Sequence, residues 1–215
     1  MTVYSEDTIY GINVALNEAT FLGIEFHRGN EVIAVTFSPV AIDVNGKVPE
    51  DNRVQFVFKP VGKFIASYRL GHWNDMIASV IKFEPEEIFE KVQEFGHCAI
   101  YGWEFMDCKK QSNDNWKDRL SFSFESPTSH GRQHTIDLFQ EGVTNHIDIK
   151  IWFDDFEIVN SKYEKIGLQT FIDNGKRGWD GVYDGNASDK FHIYPANTAK
   201  LNIQSDQGEI REEGQ

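Results

Sequence analysis

Gln133-His134-Thr135-Ile136-Asp137-Leu138-Phe139 and His146-Ile147-Asp148-Ile149-Lys150-Ile151-Trp152-Phe153 decide the fold. In the second run, Ile147, Ile149, Ile151 and Phe153 take alternate positions, with His146, Asp148, Lys150 and Trp152 between them. A period of two places the first set on one face of a β-strand and the second set on the other. Ile136 and Leu138 share that phase in the first run. The two runs read as an antiparallel hairpin with an apolar and a polar face, continuing through Phe156 and Ile158.

The same pattern extends outward. Thr20–Phe26 and Val32–Phe37 are rich in β-branched and aromatic residues and flank Arg28-Gly29-Asn30, a second hairpin that Pro39 ends or kinks. Residues 43–52 are polar and turn-rich. Val54, Phe56 and Phe58 alternate with Gln55 and Val57. Lys59-Pro60-Val61-Gly62 is expected to interrupt that strand, with Phe64–Leu70 resuming as another. Cys98–Met106 and Leu120–Phe124 add two more.

One helix is legible. Pro85 and Glu84, Glu86 and Glu87 suit a helix N-terminus; Ile88, Phe89, Val92 and Phe95 follow at helical spacing, and Gly96 supplies a stop. A second, short helix is expected near Tyr163–Asp173. Asn174-Gly175, Asp180-Gly181 and Asp184-Gly185 then mark a loop-rich region. The expected fold class is α+β: a predominantly antiparallel β-sheet with one amphipathic helix and a second short helix packed on it. Residues 1–197 read as a single domain and 198–215 as a polar C-terminal tail.

With 215 residues, 40% of them hydrophobic, the chain can bury a sizeable core. The net charge of −13 argues against a broad nucleic-acid surface, which needs Lys and Arg to neutralise phosphates. It also disfavours anionic membranes and favours basic protein partners. The two cysteines, Cys98 and Cys108, form neither a disulfide framework nor a zinc site. Met1–Glu6 lacks signal-peptide features, and no apolar run nears the roughly 18 residues of a membrane helix. A reducing, cytoplasmic setting is the expectation.

The sharpest chemical candidate is the polar face of the first hairpin. A register matching the faces puts Asp137 opposite Asp148, with His146 and Lys150 beside them. Asp137, Asp148 and His146 would hold magnesium or another divalent cation, with Lys150 alongside. Asp137 followed by Asp148-Ile149-Lys150 resembles the restriction-type nuclease signature. The resemblance implies that the acids bind metal and the lysine assists the attacking water. Ile136 stands where that family usually has proline. Asp180, Asp184, Asn186 and Asp189 are a weaker calcium candidate, lacking the EF-hand glycine and closing glutamate. His97 and Cys98 are adjacent and would point to opposite faces of a strand.

Aromatics give the other candidate. Trp73, Trp103, Trp152 and Trp179 stand near Asp75, Glu104, Asp154 and Asp180. Trp152 and Trp179 are the expected partner-binding residues, as surface tryptophans anchor interfaces. Tyr101-Gly102-Trp103-Glu104-Phe105 and Gly178-Trp179-Asp180-Gly181-Val182-Tyr183 resemble segments of uncharacterised bacterial proteins, which implies a bacterial source and no activity. The leading expectation is a non-catalytic cytosolic protein-binding protein, an immunity-type or regulatory binder of a basic partner, with no cofactor. The alternative is a divalent-metal-dependent hydrolase or nuclease using Asp137, Asp148 and Lys150.

Overall fold

The computed structural model describes residues 3–75, 77–108, 117–128 and 132–185. Among them are strands β1 (Thr20–His27), β2 (Val32–Ser38), β3 (Val54–Leu70), β4 (Phe122–Glu125), β5 (His134–Glu141), β6 (Asn145–Asn160) and β7 (Lys165–Ile166). The α-helices are α1 (Glu6–Leu16), α2 (Ile88–Gln93) and α3 (Leu168–Tyr183). The fold is α+β, dominated by one antiparallel sheet of order β1-β2-β3-β6-β5.

β3 and β6 form the spine, paired from Val54↔Asn160 to Leu70↔Asn145. β2 and then β4 flank β3, whereas β5 and then β7 flank β6. Val61 and Phe64 alternate with Lys63 across a register shift, so the Lys59-Pro60-Val61-Gly62 stretch bends one long strand instead of separating two. A bulge satisfies the ladder on either side of an irregular residue, which is why the strand survives. The Lys59–Pro60 peptide is cis.

The hairpins expected at 20–37 and 133–153 are present, and the second runs on to Asn160. Cys98–Met106 is not a strand. It crosses between the two sheet edges: Phe21 N donates to Cys98 O on one side, and Tyr101 N donates to Phe139 O on the other. Asp137 N donates to Phe105 O further along. β1 and β5 therefore bind the same short segment, which satisfies edge groups that would otherwise recruit another chain. Inside, phenylalanines join the two halves of the sheet, with Phe58–Phe153 ring centroids 4.6 Å apart and Phe56 stacked on Phe156 at 5.2 Å.

The helices depart most from expectation. The 84–95 stretch begins as a 3₁₀ turn, Pro85–Glu87, and only Ile88–Gln93 is α-helical. Its sequence signals act locally as read: Glu84 N donates to the Glu87 carboxylate, and Gly96 takes φ +62° at the stop. The expected short helix near Tyr163–Asp173 and the loop after it are one helix, α3, reaching Tyr183. Gly175 and Gly178 lie inside it because other backbone passes close by, not because the chain turns. A Cβ on Gly175 would lie 2.5 Å from Ala15 Cβ, and one on Gly178 would lie 2.6 Å from Val40 O. α1, absent from the sequence expectation, is capped by Ser5, whose hydroxyl accepts from Thr8 N. No helix of the described residues is long and apolar enough to cross a membrane. The expected tail at 198–215 lies outside the described residues.

Candidate functional site

The polar hairpin face is a set of ion pairs. Asp137 lies opposite Lys150, and Asp148 lies opposite Phe139, so the expected Asp137–Asp148 pairing is wrong by two residues. Both registers keep the isoleucines on one face, so face matching cannot choose between them. The turn chooses: Gly142 N donates to Asn145 O, which closes the hairpin with Glu141 opposite His146.

Lys150 Nζ donates to Asp137 Oδ2 at 3.0 Å, and both side chains are buried. Arg69, brought alongside by β3, donates to Asp148 Oδ2 at 2.9 Å. Asp137 Oδ1 is buried with no hydrogen-bond partner. Burial raises the Asp137 carboxyl to about 6, outweighing the downward pull of Lys150. Burial also raises Asp148, against Arg69. Each carboxylate thus has its own cation. His146 turns its Nδ1 to Gly71 O at 2.9 Å instead of toward either acid. Among the described residues, no group of three or more His, Cys, Asp or Glu is placed to hold a metal ion. That disfavours the metal-dependent hydrolase or nuclease reading of Asp137, Asp148, His146 and Lys150.

The two tryptophans expected to bind a partner lie in different surroundings. Trp152 is half-buried, with the ammonium groups of Lys63 and Lys150 5.3 and 5.4 Å from its ring centroid. Cation–π contacts of this kind hold the ring within the sheet face. Trp179 is buried, at 8% exposure, and sits on α3 instead of in a loop. Asp180 is on the exposed side of the same helix and Asp184 is its C-cap, so these two calcium candidates belong to a helix end and not to a loop. Asn186 and Asp189 lie outside the described residues.

What the structure does assemble is an aromatic cleft. Tyr10, Asn13 and Val14 of α1 and its C-cap, Asn17, lie at i, i+3, i+4, i+7 spacing. Lys176, Trp179, Asp180 and Tyr183 repeat that spacing on α3. With Trp103 they enclose a hollow of about 470 Å³. A second hollow of about 450 Å³ shares Tyr10, Asn13 and Trp103 and adds Glu6, Glu104 and Asp107. Through these shared walls the two form one trough about Trp103, each hollow of the size that ligands and anchoring side chains fill.

Asn13 positions the Trp103 wall. Its buried amide oxygen accepts from both Phe105 N and Met106 N at 3.0 Å, while Phe105 and Met106 bury their side chains in the core. Asn13→Ala leaves two buried N–H groups unpaired, so a loss of about 2–3 kcal/mol in urea unfolding is expected. Asn13→Asp, which keeps the acceptor, should lose distinctly less. Equal losses would contradict the tether.

Trp179 and Tyr183 rings lie 6.0 Å apart. The Trp179 indole nitrogen is buried without a hydrogen-bond partner. On the acidic side, Asp107 accepts from His134 Nδ1 and from Thr135 N, both at 2.8 Å, which fixes its carboxylate. Sequence reading singled out Trp103 and Trp179 but not Tyr10, Asn13 or Tyr183. The available signal was the repeated i, i+3, i+4, i+7 spacing at 10–17 and 176–183. It went unread because Gly11 and the α3 glycines disguise the helices. Comparison of the chain with protein-family models, with curated proteins and with solved structures finds no match.

Proposed function

We propose that this chain is a non-catalytic binding protein, and that the trough walled by α1, α3 and the 101–108 loop receives its protein partner. One observation carries the reading: Tyr10, Trp103 and Tyr183, exposed by 66%, 81% and 77%, come from three separate segments to line it. Aromatic side chains dominate interface energetics because they bury much area at little conformational cost. Gathering three of them beside a buried tryptophan supports a recognition surface more than scattered exposure would. An immunity-type or regulatory binder, holding one partner without turnover, fits this arrangement.

Capture from source-cell lysate by the full chain tests the reading. Trp103→Ala and Tyr183→Ala should each weaken capture at least about tenfold, the effect of truncating an interface hot spot. Trp73→Ala is the control, since Trp73 is 60% exposed but does not line the trough. A partner held equally by all three variants would overturn the assignment.

A further inference from the structure

We infer that the occupant of the trough is a basic segment of a partner protein, whose lysine or arginine side chains lie beside Trp103 and Tyr10 against Glu6 and Glu104. This rests on the reading of the trough as a binding surface and adds the chemistry of what it takes.

Charge is the first ground. Among the described residues, the trough is lined by Glu6, Glu104, Asp107 and Asp180 and by one cation, Lys176. Asp107 is occupied by His134 and Thr135. Among the described residues, Glu6, Glu104 and Asp180 have no ion-pair partner, and all three are exposed. The chain's other carboxylates are often paired: Glu86 with Arg28, Asp51 with Arg53, Glu157 with Lys59 and Lys165. Among the described residues, the exposed carboxylates of this trough outnumber its cation, a local negative potential that an incoming cation would neutralise.

The aromatics are the second ground. A guanidinium or ammonium gains from an aromatic face as well as from carboxylates, and its alkyl stem covers apolar surface. Trp103 and Tyr10 stand between the two hollows, within the stretch that holds Glu6 and Glu104. Exposed carboxylates beside aromatic faces together match a basic segment, and the carboxylates would repel an acidic one.

The probe is a fluorescein-labelled peptide of alternating glycine and arginine, titrated into the full chain at low salt and followed by anisotropy. Wild type should bind it. The double variant Glu6→Gln/Glu104→Gln and the single variant Trp103→Ala should each bind about tenfold more weakly. The matching glycine–glutamate peptide should not bind. Equal affinity for wild type and the double variant, binding of both peptides alike, or no binding of the arginine peptide would each overturn the inference. Self-association of wild type on gel filtration that Trp103→Ala abolishes would overturn it as well, assigning the trough to a second copy. The two readings fail separately. A captured partner lost from Trp103→Ala but kept by Glu6→Gln/Glu104→Gln removes the basic segment and leaves the binding surface. A partner kept by both variants removes the binding surface.

Discussion

Gly178→Ala should destabilise the chain by about 1–3 kcal/mol, the usual cost of overpacking, although alanine is the better helix former by about 1 kcal/mol. Gly178 lies in α3, where its missing Cβ leaves room for Val40. The added carbon would meet Val40 O at 2.6 Å, Val40 C at 2.8 Å and Ala41 N at 2.9 Å. All three are backbone atoms, so relief requires the 40–43 segment or the helix to move. They are tied together: Ile42 N donates to Asn174 O at 3.0 Å, and Arg177 Nε donates to the carbonyls of Ile42 and Asp43. Gly175→Val should act the same way through Ala15, whose Cβ and Cα would lie 2.5 and 2.7 Å from the new Cβ. Gly29→Ala, with nothing within 4 Å, is the control and should be close to neutral. Urea unfolding separates them. Because Trp179 adjoins Gly178, its fluorescence should also move to longer wavelength. A Gly178→Ala chain as stable as the control would contradict the docking of α3, and with it one wall of the trough.

Lys150→Met should lower stability at pH 7 by about 3–5 kcal/mol, the cost of leaving one member of a buried ion pair without the other. Lys150 and Asp137 are both buried, their contact is 3.0 Å, and Asp137 Oδ1 has no second partner to soften the loss. Adding Asp137→Leu should restore most of it, because apolar side chains often replace a buried pair without net loss. A double variant as unstable as the single one would contradict a purely structural pair. The pH dependence carries the same signature. The Asp137 carboxyl stands at about 6 in the folded chain against an ordinary 3.8. Between those values the folded chain binds the extra proton, so Asp137 makes stability fall as pH rises from about 4 to about 6. The raised Asp148 carboxyl acts in the same direction. Glu94 and Asp51, held below their ordinary range, act oppositely. The difference between wild type and Asp137→Leu/Lys150→Met isolates the pair: about 2–3 kcal/mol of that fall should vanish in the double variant.

Most of the sheet was legible because period-two alternation is written along the chain. Ile147, Ile149 and Ile151 announce their face without any partner. Register was not legible to the same degree, since sliding β5 by two residues preserves every face. The choice lay in the Gly142–Asn145 turn, and it turned a metal site into ion pairs. α3 was hidden for a tertiary reason: Asn174-Gly175 and Asp180-Gly181 look like turns until Ala15 and Val40 are seen pressed against the helix. The trough was only half visible for the same reason. Trp103 and Trp179 stood out as residue types, but their meeting with Tyr10 depends on α1 lying beside α3, and no local pattern encodes that contact.

Hydrogen exchange on the chain with and without its captured partner tests the trough most directly. Partner binding should slow exchange of backbone amides within 6–17, 101–108 and 176–183, leaving the hairpin at 134–153 unchanged. Protection concentrated on the hairpin, with those three segments exchanging as they do in the free chain, would contradict the account.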